Sequence, residues 1–336
     1  VWQVSVPRLI PCVLALATLT LGACSASAPP VTGGEPSMSG VAGGKGGAVA
    51  DGGGVTTTAP GTDASPSASA LTAEAYKGEL DGRYKAMLDA IDSMASARSV
   101  KSLNQRVGRA EEAISGAADA LSALTPPAEV QAQHDAYVAG LRDFATELGS
   151  AAGKVGSRDL CTSSAVLADI GDKLAALDRA GEALQKAGGY RADVVDVKAG
   201  KKQTRRLSNG VFARKDALNG RSSLEIDNGG DRDAVVTLVR GGTKVFSVYV
   251  RKKGSYKVRG VRDGTYKIYF THGVDWDGRS RQFTRRCSFE KFQKTVKFKT
   301  TFTATQILWH DWKITLHSIA GGNAKTSDVD PEDFPA

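Results

Sequence analysis

Cysteine and histidine are scarce in this 336-residue chain, four of each. Four scattered cysteines are too few for a disulfide-dense miniprotein or a zinc ribbon. His134, His272, His310 and His317 form no HExxH and no close pair on one helix face. No GxSxG elbow, no Walker A loop and no GxGxxG after a strand is present. These absences remove the commonest signatures of hydrolase and nucleotide chemistry, so the chain reads as non-enzymatic and without a cofactor. An uninterrupted apolar run of about 20 residues, the length a bilayer span needs, is also missing.

What is present begins at the N-terminus. Arg8 precedes a largely apolar run of 13 residues, Leu9 to Leu21. That length suits the core of an export signal. The run ends in Leu21-Gly22-Ala23-Cys24, which resembles the lipobox of bacterial lipoproteins. The resemblance implies that residues 1–23 are a signal peptide and that Cys24 is lipidated. The mature chain is then anchored at the outer face of the cytoplasmic membrane. Two or more acyl chains anchor stably where one does not.

Residues 24–70 are mostly Gly, Ala, Ser, Pro and Thr and read as a disordered linker. Residues 71–190 are Ala-rich, with apolar positions three and four apart, as on helix faces. Leu80, Tyr84, Met87, Ile91 and Met94 form one stripe; Leu167, Ile170, Leu174, Leu177 and Leu184 form the fourth. Thr125-Pro126-Pro127 separates the second from the third. A basic connector, 191–221, leads to residues 222–320, where the period falls to two. Leu224 and Ile226, Tyr266, Ile268 and Phe270, and Trp312, Ile314 and Leu316 alternate with polar residues. The expected fold is α+β and multidomain: an antiparallel four-helix bundle followed by an antiparallel β-sandwich. The acidic tail, 321–336, is expected to be mobile. The segment Gly260 to Ile268 resembles a hairpin of prealbumin-like and carboxypeptidase-regulatory-like sandwiches, which implies an accessory or binding domain.

Charge is uneven. Residues 200–336 hold 27 basic and 14 acidic side chains, a net of +13 against +8 for the whole chain. Lys201, Lys202, Arg205 and Arg206 cluster at the junction. Such a surface would attract anionic envelope polymers or lipid headgroups, while nucleic acid is not expected. The basic strands equally serve to solubilise the sheet and guard its edges. Cys161 and Cys287 remain after processing, and in an oxidising compartment they either bridge the two domains or stay as separate buried thiols. Trp276 between Asp275 and Asp277 is a candidate ligand contact, the indole stacking on a sugar and the carboxylates accepting its hydroxyls; the competing reading is a core tryptophan. The rival to a binding role is an envelope-acting hydrolase or thiol enzyme assembled around Cys287 or His310.

Overall fold

A computed structural model describes residues 69–317 and 324–335. The signal, Cys24 and nearly all of the linker lie outside these residues. Five helices come first: α1 (Ala73–Ala95), α2 (Val100–Ser122), α3 (Gln131–Gly156), α4 (Ser163–Asp169) and α5 (Gly171–Gly188). Thr72 caps α1 by accepting from the Ala75 amide at 3.2 Å. Ser99 and Ser102 cap α2 reciprocally. The two prolines end α2, and a short turn, Ala128–Val130, opens α3. The fourth expected helix is broken: Ile170 leaves helical geometry between α4 and α5 (φ −89°, ψ 3°). Its apolar stripe continues across the break, because Leu167, Ile170 and Leu174 remain buried.

Twelve strands follow among the described residues. They are β1 (Phe212–Lys215), β2 (Ser222–Asn228), β3 (Asp233–Arg240), β4 (Thr243–Val250), β5 (Gly254–Val261) and β6 (Gly264–Asp277). The rest are β7 (Gln282–Phe292), β8 (Val296–Phe298), β9 (Thr300–Phe302), β10 (Ile307–Trp309), β11 (Trp312–Thr315) and β12 (Thr326–Asp328). A large sheet runs β1-β4-β3-β6-β7-β12, with β8 paired to β6. A three-stranded sheet runs β11-β2-β5, and β9 and β10 form a separate hairpin. The pairings are antiparallel except β11 with β2, which is parallel. Gly241 and Gly242, both at positive φ, turn β3 into β4 as a tight hairpin requires.

The large sheet is covered on both faces. Ala234, Val236, Leu238, Phe246 and Val248 pack with Leu224, Ile226 and Val258 of the small sheet. Val235, Tyr249, Trp276, Phe283 and Phe289 point the other way and join the core of the five helices. Such two-sided burial gives β3 a near-continuous apolar run instead of alternation.

This arrangement corrects the expectation of a four-helix bundle followed by an antiparallel β-sandwich. Among the described residues there are five α-helices, their core is continuous with one face of the sheet, and a parallel pair is present. The segment resembling a prealbumin-like hairpin is a crossover, since β5 and β6 belong to different sheets. The tail is also docked where described: β12 pairs with β7, and Val329 and Phe334 are buried. No helix among the described residues is long and apolar enough to cross a membrane.

Candidate functional site

Two arginines fasten the connector to the sheet. Arg206 donates to both oxygens of Asp233 at 2.6 Å, and Tyr249 Oη donates to the same carboxylate at 2.5 Å. Arg205 holds Asp275. Burial alone would raise both carboxyls, but the hydrogen bonds outweigh it: Asp275 is held at about 2, and Asp233 below the ordinary carboxylate value. These arginines are therefore internal partners and not part of a free basic surface.

The same geometry revises the candidate ligand trio. Trp276 is 4% exposed and packs edge-on against Tyr249 and Phe283. Asp275 is 5% exposed and bonded to Arg205 and Thr284. Asp277 accepts from Arg279 N and Ser280 Oγ in the β6–β7 turn. The three are not an open stacking site; burial of the indole is the reason.

Cys161 and Cys287 are bonded, with Sγ atoms 2.01 Å apart. Around the bond, residues 158–161 run alongside β7: Cys161 N donates to Thr284 O at 2.8 Å, and Cys287 N to Arg158 O at 3.1 Å. No free thiol is left at Cys287 for nucleophilic chemistry. His310 is exposed, and its Nδ1 donates to the Lys299 carbonyl at 3.1 Å. His272 is buried, and burial followed by the Arg232 charge lowers it to about 4, so its imidazole is neutral near pH 7. Among the described residues no group of three His, Cys, Asp or Glu side chains is placed to hold a metal.

A cavity of about 350 Å³ lies on the helix-facing side of the large sheet. Its floor is Val235 and Thr237 of β3, Ser247 of β4 and Thr271 of β6. Alternation puts Val235 and Thr237 on one face, and register sets Thr237 opposite Ser247. Their hydroxyls bond at 2.8 Å. The register then slips between Leu238 and Val239, a bulge that turns Lys244 onto the same side as Ser247.

The walls are apolar: Val100, Trp276, Phe289 and, from the C-terminal segment, Phe334. Four cations are among the lining residues, each from a different element. They are Arg98 between α1 and α2, Arg214 on β1, Lys244 on β4 and Arg281 in the β6–β7 turn. Lys244 is held below the ordinary lysine value, first by burial and then by the charges of Arg214 and Arg281. Among the described residues, Arg98, Lys244 and Arg281 have no carboxylate within ion-pair distance, and Arg214 has only a loose contact with Asp216 at 3.8 Å. Glu332, the single carboxylate of the lining, is engaged with Ser99 Oγ at 3.2 Å and Lys101 Nζ at 3.6 Å. Converging like charges over an apolar wall are the complement of an anion with an apolar body.

A second cavity, about 340 Å³, lies between α4, the connector and the β6–β7 region. Its carboxylates Asp169, Asp275 and Asp277 already have cationic or turn partners.

The sequence singled out none of the residues of the first cavity except Trp276. The four cations lie far apart in the chain and on four different elements, so only the fold brings them together. Comparison with known proteins gives no matching family, no matching curated protein and no matching solved structure.

Proposed function

We propose that the protein is a lipid-anchored extracytoplasmic binding module that captures a small amphipathic anion in the cavity on the helix-facing side of its sheet. The observation that carries this reading is the convergence of Arg98, Arg214, Lys244 and Arg281 on one apolar-walled space. A carboxylate, sulfonate or phosphate would sit among the cations, its apolar part against Trp276, Phe289 and Phe334. Binding is favoured over catalysis because the Thr237 and Ser247 hydroxyls bond to each other and four of the five charged side chains of the lining are cations. Attachment at Cys24, at the outer face of the cytoplasmic membrane, rests on the Leu21-Gly22-Ala23-Cys24 motif.

Anilinonaphthalene sulfonate tests the pocket, with the uncharged N-phenylnaphthylamine as control. The sulfonate is expected to bind at least about tenfold more tightly, a difference of about 1.4 kcal/mol. The preference should vanish in Lys244→Gln/Arg281→Gln. Equal binding of both probes, or a double variant unchanged from the parent, overturns the reading. Labelled palmitate tests the anchor: incorporation that is lost in Cys24→Ser supports it, and no incorporation removes it.

A further inference from the structure

The hairpin β9–β10 is chemically unlike the rest of the surface. Residues 302–310 are exposed without interruption. Phe302 is 68% exposed, Leu308 52%, Trp309 48% and Ile307 39%. No charged residue lies between Thr300 and Trp309. Register places Phe302 opposite Ile307 and Thr300 opposite Trp309, so Phe302, Ile307 and Trp309 share one face. Leu308 takes the other. The turn is closed internally by Thr303 and Gln306, whose main-chain and hydroxyl groups bond to each other.

The base is held firmly and is basic. Trp312 Nε1 donates to the Lys297 carbonyl at 3.0 Å, and Asp263 accepts from both N and Oγ1 of Thr300 at 2.8 Å. Lys297 and Lys299 beside the base are exposed and have no ion-pair partner among the described residues.

We infer that this hairpin is a membrane-insertion element that enters the headgroup region of an anionic bilayer. A flat protein partner would cover one face, whereas apolar side chains on both faces call for a medium that surrounds the element. Phe302 and Ile307 lie next to the turn, while Trp309, opposite Thr300, lies at the base with Lys297 and Lys299; this matches the order of an interface, apolar side chains at the acyl boundary and then tryptophan and lysine at headgroup level. Three residues per arm at about 3.4 Å each give a reach of about 10 Å. That equals the depth of the headgroup and acyl boundary. Deeper entry is opposed by the unpaired main-chain groups on the outer edges of both strands. The inference stands apart from the anion cavity and from attachment at Cys24.

The test uses the chain from residue 24 onward carrying Cys24→Ser, which removes Trp2 and the apolar run Leu9 to Leu21, with vesicles of phosphatidylcholine alone or with phosphatidylglycerol. Acyl chains brominated near the headgroup should quench Trp309, and Trp309→Phe should lose that quenching while still binding. Phe302→Ser/Ile307→Ser/Leu308→Ser/Trp309→Ser should bind the anionic vesicles at least about tenfold more weakly. All four sites are exposed, so the fold is expected to survive, and circular dichroism checks that it does. Phosphatidylcholine vesicles, which carry no net charge, should bind more weakly than anionic ones. An unquenched parent, or a four-serine variant that binds as the parent does, overturns the inference. So does self-association in place of vesicle binding, lost in the four-serine variant, which would make a second copy the partner.

Discussion

Arg205 grips Asp275 from three donors: its main-chain N at 2.7 Å, Nε at 2.9 Å and Nη2 at 2.8 Å. Thr284 Oγ1 adds a fourth at 2.7 Å. The carboxylate sits on a residue at positive φ beside a register shift in β6. A charged side chain thus holds a non-helical connector against the end of a long strand.

The two partners should differ in what their loss does. The Asp275 side chain is 3% exposed and that of Arg205 44%. Arg205→Ala leaves a buried carboxylate without its counter-ion, so it should cost about 3 kcal/mol. Asp275→Asn frees a half-exposed cation that water can solvate and should cost less, about 1–2 kcal/mol. Urea midpoints at constant slope read the comparison.

The bond between Cys161 and Cys287 closes a separation of 126 residues. Cys161→Ser/Cys287→Ser should lower stability by about 2–4 kcal/mol, up to about 5 if unfolded-chain entropy is the whole effect. The unreduced protein should show no thiol titre from either residue even in denaturant.

Acid should destabilise the fold in two steps. His272 has its folded value lowered to about 4, so the unfolded chain binds the extra proton between about pH 6.5 and 4, and stability falls as pH falls through that window. Asp275, lowered to about 2, keeps its contribution above about pH 4 and loses it as pH falls toward 2. Glu290, 4.0 Å from His272, does not reverse the effect of burial and of Arg232. Stability against pH for His272→Gln should show a smaller upper step, the remainder coming from His134, which burial also lowers, and should retain the lower one.

Phe334 stacks edge-on against Phe289 and Tyr269, with centroids 5.2 and 5.9 Å away. Phe334→Ala should release the C-terminal segment before the rest of the protein. Amide exchange in Thr326–Asp328 should quicken well before that in β3, and the affinity for anilinonaphthalene sulfonate should fall.

Where the chain buries one face, its sequence shows it. Leu224 and Ile226 in β2, and Tyr266, Ile268 and Phe270 in β6, alternate as expected and are buried. The helical stripes are equally visible, although the fourth hid a break because apolar spacing continues through Ile170. β3 was invisible to period two because both of its faces are covered. Arg205 and Asp275 lie 70 residues apart, and no local pattern announces such a pair. The cavity escaped for the same reason. Its cations belong to four elements, and Lys244 reaches it only through a bulge.

The placement of Phe334 and Pro335 in the cavity wall orders events during synthesis. Helices and sheet precursors emerge from the ribosome before them, and the receptacle is finished only by residues downstream of the strands that form its floor. A chain halted before residue 334 could keep most of its architecture and still have an incomplete compartment, so truncation would separate folding from capture.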